Sequence, residues 1–94
     1  MITLSFTGDI LAYRSLIKKS YSYGSYNFDD VFNNVKDLFY NSAYVVGNLE
    51  TPVAGRSFGY TRMDMLFNTP IEFAESVKKA GFNLVTIANN HCTD

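Results

Sequence analysis

An α/β fold with a mostly parallel sheet is predicted by three features of this sequence. Three short apolar runs, at 2–6, 43–46 and 84–88, alternate with two stretches whose apolar residues recur at spacings of three and four. A strand-helix-strand order of this kind builds parallel sheets through right-handed crossovers. Each run also leads straight into small and polar residues: Thr7-Gly8-Asp9, then Gly47-Asn48-Leu49-Glu50, then Asn89-Asn90-His91-Cys92-Thr93-Asp94. An apolar share of 47% against a charged share of 18% is that of an ordinary globular domain and argues against disorder. At 94 residues the chain makes one domain at most, with a single modest core.

Ile2-Thr3-Leu4-Ser5-Phe6 alternates apolar with hydroxyl side chains, the period of a strand with one face packed harder than the other. Leu11, Tyr13 and Leu16 suit a short helix over 10–17, and the tyrosine-rich Ser20 to Tyr26 segment reads as a loop. Its three tyrosines are expected to pack over the sheet edge. Phe28, Val31, Phe32, Val35, Leu38 and Phe39 fall on one face of a helix, with Asn27 as its cap and Asp29 and Asp30 in the first turn, where the helix dipole favours carboxylates.

Ala43-Tyr44-Val45-Val46 is too short and β-branched for a helix and reads as a buried strand. Residues 51–68 form a long excursion in which Phe58, Tyr60, Met63, Met65, Leu66 and Phe67 are interspersed among Gly, Ser, Thr and Arg. Such a length in a compact domain marks a lid, a binding loop or short strands of its own. Arg56 and Arg62 suit anion recognition if they face the strand ends, although solvated surface arginine is the commoner fate. Thr69-Pro70-Ile71-Glu72 has the form of a capping box with proline in the first turn, and Phe73, Ala74, Val77 and Ala80 keep helical spacing until Gly81. Leu84 to Ala88 is the third strand. Residues 28–50 and 71–91 thus repeat one helix-plus-strand plan, as shared architecture and not as duplicated sequence.

Composition excludes several functions. Eight Lys and Arg lie scattered against nine Asp and Glu, so there is no basic stripe for nucleic acid. No apolar stretch approaches the ~20 residues that cross a bilayer, and Met1 leads into a strand pattern without the charged region of a leader. One cysteine excludes an internal disulfide framework and a multi-cysteine zinc site. Cys92 and His91 are neighbours whose side chains diverge on an extended chain, so a Cys-His catalytic pair is not expected.

Open parallel sheets bind ligands beyond the carboxyl ends of their strands. Asp9, Asn48, Glu50, Asn90, His91 and Asp94 all fall at that edge. Singly, each has a structural use: a carboxylate can cap a helix, an amide can satisfy loop carbonyls, a histidine can sit hydrogen-bonded in a core. Together they form a mixed hard and borderline donor set suited to Mn, Fe, Zn or Mg. Two such cations can clamp a phosphoryl group and activate water, while an uncoordinated histidine stabilises charge or protonates the leaving oxygen.

Thr7-Gly8-Asp9-Ile10, Val46-Gly47-Asn48-Leu49-Glu50-Thr51-Pro52, Phe67-Asn68-Thr69-Pro70, Ala80-Gly81-Phe82-Asn83 and Ala88-Asn89-Asn90-His91 with Asp94 closely resemble, in order, the motifs of the bacterial capsule synthesis protein family. This is the poly-γ-glutamate biosynthesis (CapA) type, similar to the calcineurin-like metallophosphoesterases. The resemblance covers essentially the whole chain but only the N-terminal portion of the family's domain, so residues 1–94 are expected to be a single incomplete domain. It implies the β-α-β-α-β part of a metallophosphoesterase-like α/β sandwich. Asp9, Glu50 and Asn90 then look like metal ligands, His91 like the catalytic imidazole, and Asn48 and Asp94 like supporting residues. The implied chemistry is metal-dependent hydrolysis of a phosphate ester or anhydride, acting on a phosphorylated or polyglutamate substrate in capsule production. The alternative is a module that binds a polyanion and cleaves nothing.

One departure matters. Calcineurin-like enzymes commonly carry a ligand histidine two positions after the first aspartate, where this chain has Leu11. The later histidines of such centres are expected beyond Asp94, so the centre would be incomplete in this chain. Half a sandwich also leaves one sheet face uncovered, from which a dimer or larger assembly is expected. Family members are often associated with the cell surface, and nothing in these residues encodes export.

Overall fold

The computed structural model describes residues 1–62 and 66–94, so Met63 and Met65 of the excursion lie outside the described residues. Three parallel strands form the main sheet in the order β1 (Leu4–Ile10), β4 (Tyr44–Leu49), β5 (Leu84–Thr86). Helix α1 (Arg14–Ser20) follows β1, and α2 (Ile71–Lys79) precedes β5. The expected α/β architecture with a parallel sheet is present, together with a small antiparallel pair, β2 (Tyr21–Ser22) and β3 (Ser25–Tyr26).

That pair lies where a tyrosine-rich loop was expected. Tyr23 and Gly24 both take positive φ, the requirement of the two-residue turns that join twisted antiparallel strands. Tyr21 and Tyr26 pair across it with ring centroids 5.0 Å apart, and Tyr26 continues onto Phe28 and Tyr60. Tyr23 at the tip is fully exposed.

The long helix expected at 28–39 is corrected to two 3₁₀ turns, Asp29–Phe32 and Lys36–Phe39. Bonds of the i to i−3 type run through both, including Val31 N–H to Phe28 O and Leu38 N–H to Val35 O. A threefold repeat cannot keep all six apolar residues on one stripe. Phe28 and Phe32 are buried and Phe39 is half-buried, whereas Val31, Val35 and Leu38 face outward. The β-branched valines and Asn33-Asn34 give the α form little intrinsic support. Asn27 does act at the entry, its Oδ1 accepting from Asp29 N–H at 2.8 Å. Asp29 fastens this segment to α2 by accepting from Ser76 Oγ at 2.6 Å, and that hydroxyl, with Lys79 nearby, holds its carboxyl below the ordinary range.

The expected capping box is also corrected. Pro70 occupies the cap position of α2 and no side chain caps the helix. Thr69 is instead fully buried, and its hydroxyl donates to Pro52 O, closing the base of the excursion. Gly81 ends the helix as expected, at φ 114°, where a residue with a Cβ would be strained.

The core is one-sided. Val45, Phe73, Val77, Phe28, Phe32 and Phe82 pack between the sheet and the helical layer. Gly47 makes the close approach possible: a Cβ there would lie 2.6 Å from Ile10 Cδ1 and 2.9 Å from Phe82 Cε1. Residues in register share a face, so Leu4, Tyr44, Phe6, Val46 and Leu84 line the opposite side. Leu4, Phe6, Tyr44 and Leu84 are exposed there. The molecule is only 17 Å thick along its shortest axis, the depth of one sheet and one helical layer.

Candidate active site

The strands run further than their apolar runs suggest. β1 extends through Asp9 and β4 through Asn48, so these residues belong to the sheet and not to the loops after it. Between Phe6, which pairs with Val46, and Asp9, which pairs with Asn48, β1 carries one residue more than β4. This bulge at Thr7-Gly8 re-aims everything after it. Without the extra residue Gly8 would stand opposite Asn48 and Asp9 would turn to the packed face. With it, Asp9, Asn48 and Thr86 stand in register on the open face.

Asn48 is the hub. Its Nδ2 donates to Asp9 Oδ1 at 2.9 Å and also to Glu50 Oε2. Its Oδ1 accepts from Thr86 Oγ1 and from Asn89 Nδ2, each at 3.1 Å. Four strands and loops therefore converge on one amide. Asp9 is exposed and Glu50 buried, and Glu50 N–H continues the ladder onto Ile10 O at 3.0 Å. A buried carboxylate needs a donor, and Asn48 provides it.

The C-terminal turn joins the cluster through Asn89. Its Nδ2 also donates to Leu49 O at 3.0 Å, and its Oδ1 accepts from His91 N–H at 3.0 Å. His91 Nδ1 lies 2.7 Å from Asp94 Oδ2, with only 14% and 12% of the two side chains exposed. Asp94 Oδ2 also accepts from Phe67 N–H at 3.0 Å, and that bond first, with His91 second among the favourable contacts, lowers the Asp94 pKa from its ordinary 3.8. Phe67 stands edge-on to the imidazole with centroids 4.6 Å apart, and Tyr13 packs on Phe67 at 5.5 Å. His91 is engaged at Nδ1, and among the described residues no hydrogen-bond partner takes its Nε2.

The excursion that carries Phe67 is closed by Asn68. Its side chain donates to Gly55 O and Gly59 O and accepts from Ala54 N–H, while Thr61 and Asn68 exchange bonds through their backbones and the Thr61 hydroxyl. Its tie to His91 is structural, since a displaced Asn68 would carry Phe67 with it.

Of the residues expected at the site, Asp9, Asn48 and Glu50 meet directly, and His91 and Asp94 form a second group linked to them by Asn89. Asn90 is exposed and takes no part in this network among the described residues. Asn89 carries the link, and the sequence held no signal to say which amide of the Asn89-Asn90 doublet turns inward. Leu11 is half-buried in the groove beside Phe32. The donors fit a divalent cation in kind, with two carboxylates reaching one nitrogen. They fall short in number, since among the described residues no three His, Cys, Asp or Glu side chains gather to hold a metal. No helix among those residues is long and apolar enough to cross a membrane.

Comparison with known proteins agrees with the motif pattern. The family model "Bacterial capsule synthesis protein PGA_cap" matches residues 3–94. The chain is 33% identical over 96 aligned positions to the capsule biosynthesis protein CapA of Bacillus anthracis, which covers 99% of this chain and 23% of that protein. It is 30% identical over 95 positions to the PGA biosynthesis protein CapA of Bacillus subtilis (strain 168), which covers 100% of this chain and 24% of that protein. It therefore spans about a quarter of the length of these relatives. No solved structure matches. On the family match across nearly all its residues, this chain belongs to the bacterial capsule synthesis protein family PGA_cap.

Proposed function

We propose that the chain supplies the first part of a divalent-metal, phosphoesterase-like centre in a protein of poly-γ-glutamate capsule production. The observation that carries this reading is the Asn48 amide, which holds the Asp9 and Glu50 carboxylates together at the carboxyl edge of a parallel sheet. Asp9 and Glu50 would hold the cation, with Asn90 free to turn inward as a further ligand. A divalent cation bound there contributes Lewis acidity toward a phosphoryl oxygen. Asn48 and Thr86 keep the carboxylates aimed. Asp94 fixes the tautomer of His91 so that Nε2 can pass a proton to a leaving oxygen.

The test is turnover of bis(p-nitrophenyl) phosphate and p-nitrophenyl phosphate with Mn²⁺, measured on a polypeptide of the relatives' length that carries these residues. Activity that falls at least ~100-fold in His91→Ala and in Asp9→Asn is expected, the usual scale of general acid-base and metal-ligand losses. Turnover indifferent to both substitutions would remove the site from the chemistry.

A second reading is favoured by Leu11, which offers no imidazole beside Asp9. In that reading the cluster orders the rim of a module that binds the anionic polymer without cleaving it. Saturable binding of oligo-γ-glutamate, with no phosphoester turnover under any divalent metal, would select it.

A further inference from the structure

A cleft of about 450 Å³ separates the excursion from the C-terminal turn. Its walls are largely apolar, from Pro52, Phe58, Leu66 and Phe67 on one side to Cys92 on the other. Among the described residues that line it, Arg62 carries the one positive charge and Asp94 the one negative charge. The guanidinium is laid against the Gly59 backbone: a Cβ at position 59 would come within 3.1 Å of Arg62 Nη2 and 3.3 Å of its Nε. The positive φ of Gly59, 72°, separately disfavours a side chain there. Asp94 turns one oxygen away to the Phe67 N–H and His91 Nδ1, so its charge is met on the imidazole side.

We propose that this cleft is a subsite for a carboxylate carried on an aliphatic stem, with Arg62 as the residue that selects it. The proposal deepens the reading of a capsule-polymer protein and rests on it for the choice of probe. A single planar guanidinium matches a carboxylate in a two-pronged hydrogen bond, and apolar walls suit methylene groups between charges. A phosphate or polyphosphate would call for several donors, and among the described residues the cleft offers one cation. The wall residue Phe67 also packs on His91, so the cleft and the imidazole share one ring between them.

The test is titration of this chain with linear tri-γ-glutamate in EDTA, followed in ¹⁵N–¹H spectra. Working without metal keeps the result separate from any failure of the hydrolase reading. The expected result is saturable shifts centred on Arg62, Phe67 and Cys92 to Asp94. Affinity should fall about tenfold in Arg62→Gln, fall less in Arg62→Lys, and hold in Arg56→Gln, an exposed arginine outside the cleft. Equal affinity in Arg62→Gln would overturn the assignment, as would an equal loss in Arg56→Gln or displacement of the peptide by equimolar inorganic phosphate.

Discussion

The two faces of the main sheet have opposite fates. On one, Val45 and Gly47 lie under Phe73, Phe82 and Val77, with Val45 2% exposed and Phe73 1%. On the other, Phe6 is 71% exposed and Tyr44 55%, with no layer over them among the described residues. On the packed face β1 contributes the hydroxyl residues Ser5 and Thr7 beside Val45 and Gly47, whereas the open face carries Leu4 and Phe6 at its amino-terminal end and Asp9, Asn48 and Thr86 at its carboxyl end. A layer laid over that apolar face would also wall the carboxylates, because both lie on the same side of the sheet.

The sharpest way to break this comparison is to remove cover from the packed face. Phe73→Ala should cost about 3–5 kcal/mol, a large share of the stability of so small a domain, and urea denaturation measures it. Gly47→Ala acts on the same face from the sheet side, by forcing Ile10 and Phe82 apart. It should cost about 1–3 kcal/mol in the same experiment. Equal tolerance of both substitutions would mean that the two faces are not distinct.

The open face makes the opposite prediction. At dilutions where the chain is monomeric, Phe6→Glu should change urea stability by less than about 1 kcal/mol, since no contact buried within the chain is lost. It should instead shift the sedimentation of the isolated chain from an association toward monomer, because exposed apolar area of this kind drives self-association. A wild-type chain that sediments as a monomer at high concentration would contradict that part of the account.

The smallest effect concerns pH. The folded-state pKa of Asp94 lies below that of the unfolded chain, so the stability it contributes is fully present above the ordinary carboxylate value of 3.8 and is lost as pH falls through the depressed folded value. Acidification below about pH 4 should loosen the tie between Phe67 and the C-terminal turn before the sheet unfolds. Amide exchange at Phe67 and Asp94 reads it, and Asp94→Asn should flatten the dependence.

Alternation of strand and helix patterns was enough to read the α/β class, the parallel sheet and the carboxyl-edge placement of Asp9, Asn48 and Glu50. Periodicity misled at residues 28–39, because spacings of three and four are compatible with 3₁₀ turns when β-branched residues and asparagines weaken the α form. Thr69 carried a capping signature that tertiary contacts overrode by burying its hydroxyl against Pro52. The bulge at Thr7-Gly8 was not legible at all, since a register shift is a relation between two strands and leaves no mark in either one. Asn83 stands in one of the resembling motifs, but its role was not legible for a similar reason: its Oδ1 accepts from Val45 N–H at 2.8 Å, a bond between segments far apart in the chain.

In the proposed function, the carboxylates gathered by Asn48 on the open face bind a divalent cation. Paramagnetic broadening of the ¹⁵N–¹H spectrum by Mn²⁺ tests it most directly. Broadening at substoichiometric Mn²⁺ should centre on Asp9, Asn48 and Glu50, reach Asn89 to His91, and vanish in the Asp9→Asn, Glu50→Gln double variant. Broadening centred instead on the acidic turn at Asp29 and Asp30, or unchanged in the double variant, would contradict the account.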